Sequence, residues 1–236
     1  MSFGSELALS QHDILDAEDC AEICARVLAL RNRWTERSPG RFYTLGAAAY
    51  LDAAEGRDAY LAAAREINPI LQENFDAVLE LVREFFEEFL GDAVFYNPHL
   101  ALPGFHLFTS QRADLGGEED IAARAHFDMQ WTEATPEHVP QATLSFTLPI
   151  EQPSSGACLA VWPFRYADAV RLGYAACDYA ARHPWQRVAY EPGRIVVHDG
   201  HVLHAIGPKA DADPNEYRIT LQGHGVRVPA GWMLYW

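Results

Sequence analysis

The sequence predicts an α+β fold: a helical N-terminal layer, residues 1–91, packed on a β-sandwich or barrel formed by residues 92–236. Three observations carry this. Up to Gly91, apolar residues recur at spacings of three and four, the period of an amphipathic helix. Beyond Gly91 they alternate in short runs bounded by turn residues, the period of strands. The 236-residue chain is 49% apolar and 22% charged, which suits one domain with a full core and excludes collagen-like, coiled-coil and disordered classes.

The first helix starts at Asp16, an N-cap followed by Cys20, Ile23, Val27, Leu30 and Trp34. An Ala-rich helix over residues 47–54 breaks at Gly56, and a third spans 58–67. Asn68-Pro69 reads as the N-cap and first position of a fourth helix. Its apolar stripe is Leu71, Phe75, Val78, Val82, Phe85 and Phe89, its other side is acidic, and Gly91 stops it. So wide an aromatic stripe needs a flat apolar partner, and the sheet is the natural one.

Strands are expected at 104–110, 125–131, 141–150, 157–162, 194–198, 202–206 and 217–226. Leu144, Phe146 and Leu148 face away from Thr143, Ser145 and Thr147. Tyr217, Ile219 and Leu221 likewise oppose Arg218, Thr220, Gln222 and His224. A polar face of this kind meets solvent or lines the inside of a barrel. The acidic stretch 209–216 (KADADPNE) reads as a solvent loop.

With 18 basic against 33 acidic residues, the net charge of −15 argues against nucleic acid or an anionic membrane as partner. A small molecule is expected instead. No stretch reads as a signal peptide or a membrane span. Four cysteines without C-x-x-C spacing read as reduced thiols of a cytoplasmic protein, and they leave no structural zinc site.

Three elements carry chemistry. His126-Phe127-Asp128 sets an imidazole and a carboxylate two residues apart, on one face if the segment is a strand. Residues 191–208 (EPGRIVVHDGHVLHAIGP) hold His198, His201 and His204 around an Asp-Gly turn. Arg218-Ile219-Thr220 sets a guanidinium beside a hydroxyl, a combination suited to clamping a carboxylate.

In this order and strand context, the three elements resemble the Fe(II)/2-oxoglutarate-dependent dioxygenase superfamily over roughly residues 103–226. The resemblance implies a double-stranded β-helix, a jelly-roll or cupin-like barrel, with the N-terminal helices on its larger sheet. It implies Fe(II) as metal and 2-oxoglutarate and O2 as cosubstrates, with succinate and CO2 released. His126, Asp128 and His204 match the catalytic metal ligands, Arg218 the 2-oxoglutarate-binding arginine and Thr220 its hydroxyl neighbour. His198 and His201 match nothing invariant, and the gap from His204 to Arg218 is longer than the common pattern. Two imidazoles and one carboxylate leave open positions on an octahedral ion, as non-haem Fe(II) oxygenases require. Halogenating relatives replace the carboxylate with a small residue, so Asp128 favours hydroxylation. His106 reads as a substrate-facing or core histidine, and Trp131 as a lid on the site or as core. Thr143 or Thr147 would add a hydroxyl to the cosubstrate pocket. The alternatives are a cupin-like metalloenzyme without 2-oxoglutarate, which has no use for the Arg218 and Thr220 clamp, and a non-catalytic metabolite-binding domain of the same fold.

Overall fold

The computed structural model describes residues 9–109, 118–137, 139–207 and 216–236. Most of the expected acidic loop, the first eight residues and Ser110 lie outside the described residues. Residues 9–91 are not helix alone. Strand β1 (Ser10–Asp13) precedes helix α1 (Ala17–Ala29), and β2 (Thr35–Ser38) and β3 (Phe42–Leu45) precede α2 (Ala49–Asp52) and α3 (Arg57–Leu90). All three strands are short, and their partners lie far along the chain, so no local alternation reveals them.

Asp16 caps α1 as expected. Its side chain accepts from the Glu18 and Asp19 amides, and the Asp19 carboxylate accepts from the Asp16 amide, a closed capping box. The helix does not begin anew at Asn68-Pro69 as expected: α3 runs through Pro69, and its two halves meet at a kink at Phe75 instead. Tyr60 and Ala64 before the proline and Leu71 and Val78 after it are all buried. That continuous burial outweighs the roughly 3 kcal/mol a helix-interior proline costs. Asn68 is not a cap. Its amide donates to the Leu100 carbonyl at 2.8 Å and accepts from the Leu102 amide at 3.0 Å, tying α3 to the segment before the sheet. The backbone leaves helical geometry at Phe75, with φ −134 and ψ 16, and the preceding Asn74 carbonyl accepts from Arg26 at 3.0 Å.

After β4 (Val94–Tyr96) and β5 (Gly104–Thr109) come α4 (Glu118–Ala123) and α5 (Trp131–Ala134). Then follow β6 (Thr143–Glu151), β7 (Cys158–Arg165), α6 (Tyr166–Leu172), α7 (Ala176–Ala180) and β8 (Gln186–Ala189). The chain ends with β9 (Arg194–His198), β10 (Val202–Ile206), β11 (Tyr217–Val228) and β12 (Gly231–Tyr235). One expected strand is absent: residues 125–131 form a single bridge, His126 to His204, and then turn into α5. The Asp128 amide bonds the Gly200 carbonyl in the turn between β9 and β10, so no ladder continues past the bridge.

The strands form a larger sheet ordered β1-β9-β6-β11-β5-β3-β2, with β12 on β11 and β4 on β12, and a smaller sheet ordered β10-β7-β8. Every pairing is antiparallel except β12 with β4. The larger sheet separates two environments. One face sends Leu45, Phe105, Leu107, Phe146 and Leu221 into a core shared with α1 and α3. Here Phe75 meets Phe105 at 4.6 Å and Phe86 meets Phe146 at 5.1 Å. Leu79 and Phe86, rather than Phe85 and Phe89, turn fully inward. The latter two are half-buried and stack on each other at the rim, 5.3 and 4.9 Å from His12. The opposite face carries the polar halves of the alternating strands and looks into a cavity.

Candidate metal centre and its cavity

Sequence-distant residues meet at the bridge. The His126 amide donates to the His204 carbonyl at 2.9 Å and the reverse bond is 3.1 Å, so two imidazoles stand side by side with centroids 4.5 Å apart. The hold of Gly200 on the Asp128 amide turns the carboxylate toward them. Its oxygens lie 3.6 Å from His126 Nε2 and 3.4 Å from His204 Nε2, and one donor atom from each residue lies within 4.8 Å of the others. Among the described residues this is the one cluster able to hold a metal ion.

The surroundings prepare these atoms for a cation. His126 Nδ1–H donates to the Arg124 carbonyl and His204 Nδ1–H to the Val202 carbonyl, each at 2.8 Å. Both bonds place the ring proton on Nδ1 and leave the Nε2 lone pair free, the outer-shell arrangement expected of metal-binding histidines. The Gln130 amide donates to Asp128 Oδ1 at 2.9 Å and fixes the carboxylate rotamer. Gly200 has φ +76, and a β-carbon there would lie 3.2 Å from Asp128 Cβ, from the Asp128 carbonyl and from Ser145 Oγ. The tight turn and the close approach both require glycine.

Electrostatics agree. Burial alone would raise the Asp128 pKa, but the charge and hydrogen bond of His204, then His224 and His126, hold it well below the usual carboxylate range. Burial opposes charge on His204, yet Asp128 and the Val202 carbonyl outweigh it and raise its pKa. Burial and His204 lower that of His126. A divalent cation would take the place of the His204 proton as counter-charge to Asp128.

The cluster opens into a cavity of about 560 Å³ between the two sheets. Of the residues singled out from sequence, His126, Asp128, His204, His106, Thr147 and His198 line it, whereas Arg218 and Thr220 do not. Trp131 does not: it heads α5 and packs with Ala134, Tyr60 and Met233 in a separate apolar cluster. Thr143 is turned away and donates to the Asp199 carbonyl at 2.6 Å. His201 lies behind the turn, with Nε2 3.5 Å from the Thr143 hydroxyl. His106 is fully buried, and its Nε2 lies 2.8 Å from the Tyr50 hydroxyl.

Arg218 is 6% exposed. Its guanidinium lies 5.4 Å from the Phe108 ring and 4.9 Å from the Tyr190 ring, both of which line the cavity. Its Nε and Nη2 are buried and have no hydrogen-bond partner. Among the described residues no carboxylate pairs with it, and burial lowers its pKa. A buried cation with unused N–H groups is costly until an anion meets it, so the site fits an anionic ligand. Thr220, beside it on the same face, is fully buried and accepts from Gln222 at 3.2 Å.

Phe108 and Tyr190, which the sequence did not single out, line the same cavity, as do His198, whose role the sequence left open, and His224. The alternation in β11 already put His224 on the Arg218 face. Nothing local marks Tyr190, whose place depends on where the chain turns before β9.

No family model matches the chain, and no curated protein sequence matches it. Solved structures with TM-scores above 0.5 to this chain share its fold. Two are of an N-substituted L-amino acid dioxygenase from Burkholderia ambifaria. The complex with α-ketoglutarate is 15% identical, covers 96% of this chain and 85% of its own, and superposes with a TM-score of 0.55. The second structure of that enzyme is 14% identical with the same coverage and a TM-score of 0.56.

Proposed function

We propose that this chain is an Fe(II)- and 2-oxoglutarate-dependent oxygenase that hydroxylates a small molecule, an amino acid or a natural-product intermediate, and releases succinate and CO2. One observation carries the reading. A two-histidine, one-carboxylate cluster opens on a cavity whose Phe108 and Tyr190 rings pack against a buried arginine with unused N–H groups. A cupin-like metalloenzyme or a metal-only binding domain leaves that arginine without purpose.

We further propose that residues 1–236 form a single oxygenase domain and that the two sheets belong to a closed double-stranded β-helix with α1 and α3 layered on the larger one. The four cysteines are free, in keeping with a cytoplasmic setting.

When bound, Fe(II) with 2-oxoglutarate and O2 supplies the oxidising power for C–H hydroxylation. The chain's own residues do the rest. His126, Asp128 and His204 hold the metal, and the Arg124 and Val202 carbonyls keep both Nε2 lone pairs turned to it. Arg218 and Thr220 take the distal carboxylate of 2-oxoglutarate, while Phe108 and Tyr190 shield that ion pair from water. His106 and Tyr50 form part of the substrate wall. The retained Asp128 carboxylate occupies the place a halide would need, which favours hydroxylation over halogenation.

The test is anaerobic loading with Fe(II), then 2-oxoglutarate and O2, with succinate measured. Slow succinate formation without substrate, accelerated by one member of a metabolite panel, is the expected result. Metal binding without succinate under any condition would refute the reading and leave a metal-only, cupin-like enzyme.

A further inference from the structure

The proposed mechanism uses the metal cluster and the Arg218 end of the cavity, and it gives no task to the polar wall where α5 packs beside α2. That wall brings Tyr50 of α2, and Gln130 and Glu133 at the start of α5, to the cavity, with Phe42 and Met129 as apolar lining.

Gln130 carries the main constraint. It is 9% exposed, and its Nε2 donates to Asp128 Oδ1 at 2.9 Å. An ionised carboxylate can only accept, so the amide has one orientation, nitrogen toward Asp128 and oxygen away from it. That oxygen, Oε1, is buried and has no hydrogen-bond partner. A buried acceptor is costly until a donor meets it. The described residues supply none, so the donor belongs to something the cavity takes in.

Glu133 adds a charge to the acceptor. Gln130 has helical backbone, φ −62 and ψ −18, so Glu133, three residues on, rises from the same face of α5. The cations around this wall are engaged elsewhere. Arg37, whose charge reaches Tyr50, pairs with Asp52 at 2.7 Å. Arg57 pairs with Glu137 at 3.3 Å and donates to the Ala134 carbonyl. Arg124 also lines the cavity, but its charge acts on Arg218. The cavity is thus polarised, positive toward Arg218 and rich in acceptors at the α2–α5 wall.

An alcohol would bring one proton and no charge to this wall. A protonated amine brings two or three protons and a positive charge, enough to satisfy the Gln130 oxygen and the Glu133 carboxylate together. We infer that the α2–α5 wall selects the substrate and selects an amine, with Gln130 Oε1 accepting one N–H of a cationic nitrogen and Glu133 facing its charge. This deepens the oxygenase reading above and rests on it. Because the same amide holds Asp128, the recognised nitrogen sits one side chain from the metal cluster.

The probes for the test are 2-phenylethylamine, charged at neutral pH, and 2-phenylethanol, of the same shape without the charge. Each is titrated calorimetrically into the anaerobic Fe(II)–2-oxoglutarate form of the wild type, Gln130→Leu and Glu133→Lys, and the ratio of amine to alcohol affinity is read. A hydrogen bond to a charged group is worth a factor of about ten to a hundred, and an exposed charge contact up to about fivefold. The wild type should therefore prefer the amine by at least about tenfold. Gln130→Leu should bring the ratio close to one, and Glu133→Lys, which turns attraction into repulsion, should lower it by about tenfold. A variant that only loosened the fold would weaken both probes alike and leave the ratio in place. A wild-type ratio near one, or a wild-type ratio kept by both variants, would overturn the inference. If Gln130→Leu fails to fold, Glu133→Lys decides alone. Succinate release separates the two readings. Amine preference without succinate under any condition would refute the oxygenase reading and leave amine recognition standing, whereas succinate formation without amine preference would refute the recognition alone.

Discussion

Arg218 and Gly200 show how single residues set this site, one by charge and one by the lack of a side chain. Removing one partner of a buried charge pair costs roughly 3–5 kcal/mol. Arg218→Ala should therefore weaken 2-oxoglutarate binding by about a hundred- to a few-thousand-fold, at about 1.4 kcal/mol per decade. Arg218→Lys recovers only part of this because an ammonium lacks the two-pronged fork. Fe(II) affinity, followed in the same anaerobic titration, should hardly change. At Gly200 the expectation reverses. A β-carbon there combines a left-handed backbone, worth about 1–2 kcal/mol of strain, with pressure on Asp128. Gly200→Ala should weaken metal binding, read by Co(II) absorption, more than it lowers the melting temperature. An unchanged metal affinity would show that Asp128 does not need the turn. The meeting of His126, Asp128 and His204 was legible in the sequence because their residue types and order are specific. Phe108 and Tyr190 were not, nor was the place of His198 on the cavity wall, because which side chains line it depends on which strands pair and in which register, and a single strand does not carry that information.

Elements were legible where burial and period coincide locally. β9 and β10 fall within the expected bounds, and the Asp16 cap and the Gly91 stop, with φ 63, are where composition puts them. Errors arose where a tertiary contact overrode a local signal. Pro69 marks a helix start by propensity, yet burial on both sides carries α3 through it. The 125–131 segment has strand-like residues but is held by one bridge and the Gly200 carbonyl. The facing of α3 is also rotated by about one residue from the expected stripe. Phe86 is wholly buried against Phe146, whereas Phe85 sits half-buried at the rim. Phe86→Ala should accordingly cost about 3–5 kcal/mol and Phe85→Ala distinctly less, in the order their burial sets. Urea midpoints of the two variants measure this, and equal midpoints would mean that the helix packs on its originally expected face.

Across the whole molecule, burying polar groups in the cavity couples stability to pH. Burial, reinforced by Arg218 and His224, pushes the His106 pKa down to about 3. Unfolded, the same imidazole titrates near 6.5. Between those values the unfolded chain binds a proton that the folded chain refuses, so stability falls on acidification and is fully present only above about pH 6.5. Each such group contributes a slope of about 1.4 kcal/mol per pH unit. His198, also lowered to about 3 by burial and His204, acts in the same direction. Chemical denaturation of the metal-free protein from pH 7 to 4 should show this decline, and His106→Gln, which keeps a partner for Tyr50, should flatten it. An unaltered slope would place the acid sensitivity elsewhere.

β11 runs for 12 residues and pairs with β5, β6 and β12, with one face in the helix-packed core and the other carrying Arg218, Thr220, Gln222 and His224. Its amides should be among the slowest in the chain to exchange with deuterium, opening only when the whole domain does. A change of substrate is therefore unlike a change of cosubstrate. Any shift in β11 register would flip its polar residues into the core, so that half of the pocket is frozen by the requirement to fold. The opposite wall, where Tyr50, Met129 and Glu133 reach the cavity from short helices and a loop, can vary without moving a core residue, and divergence among descendants of this chain should concentrate there.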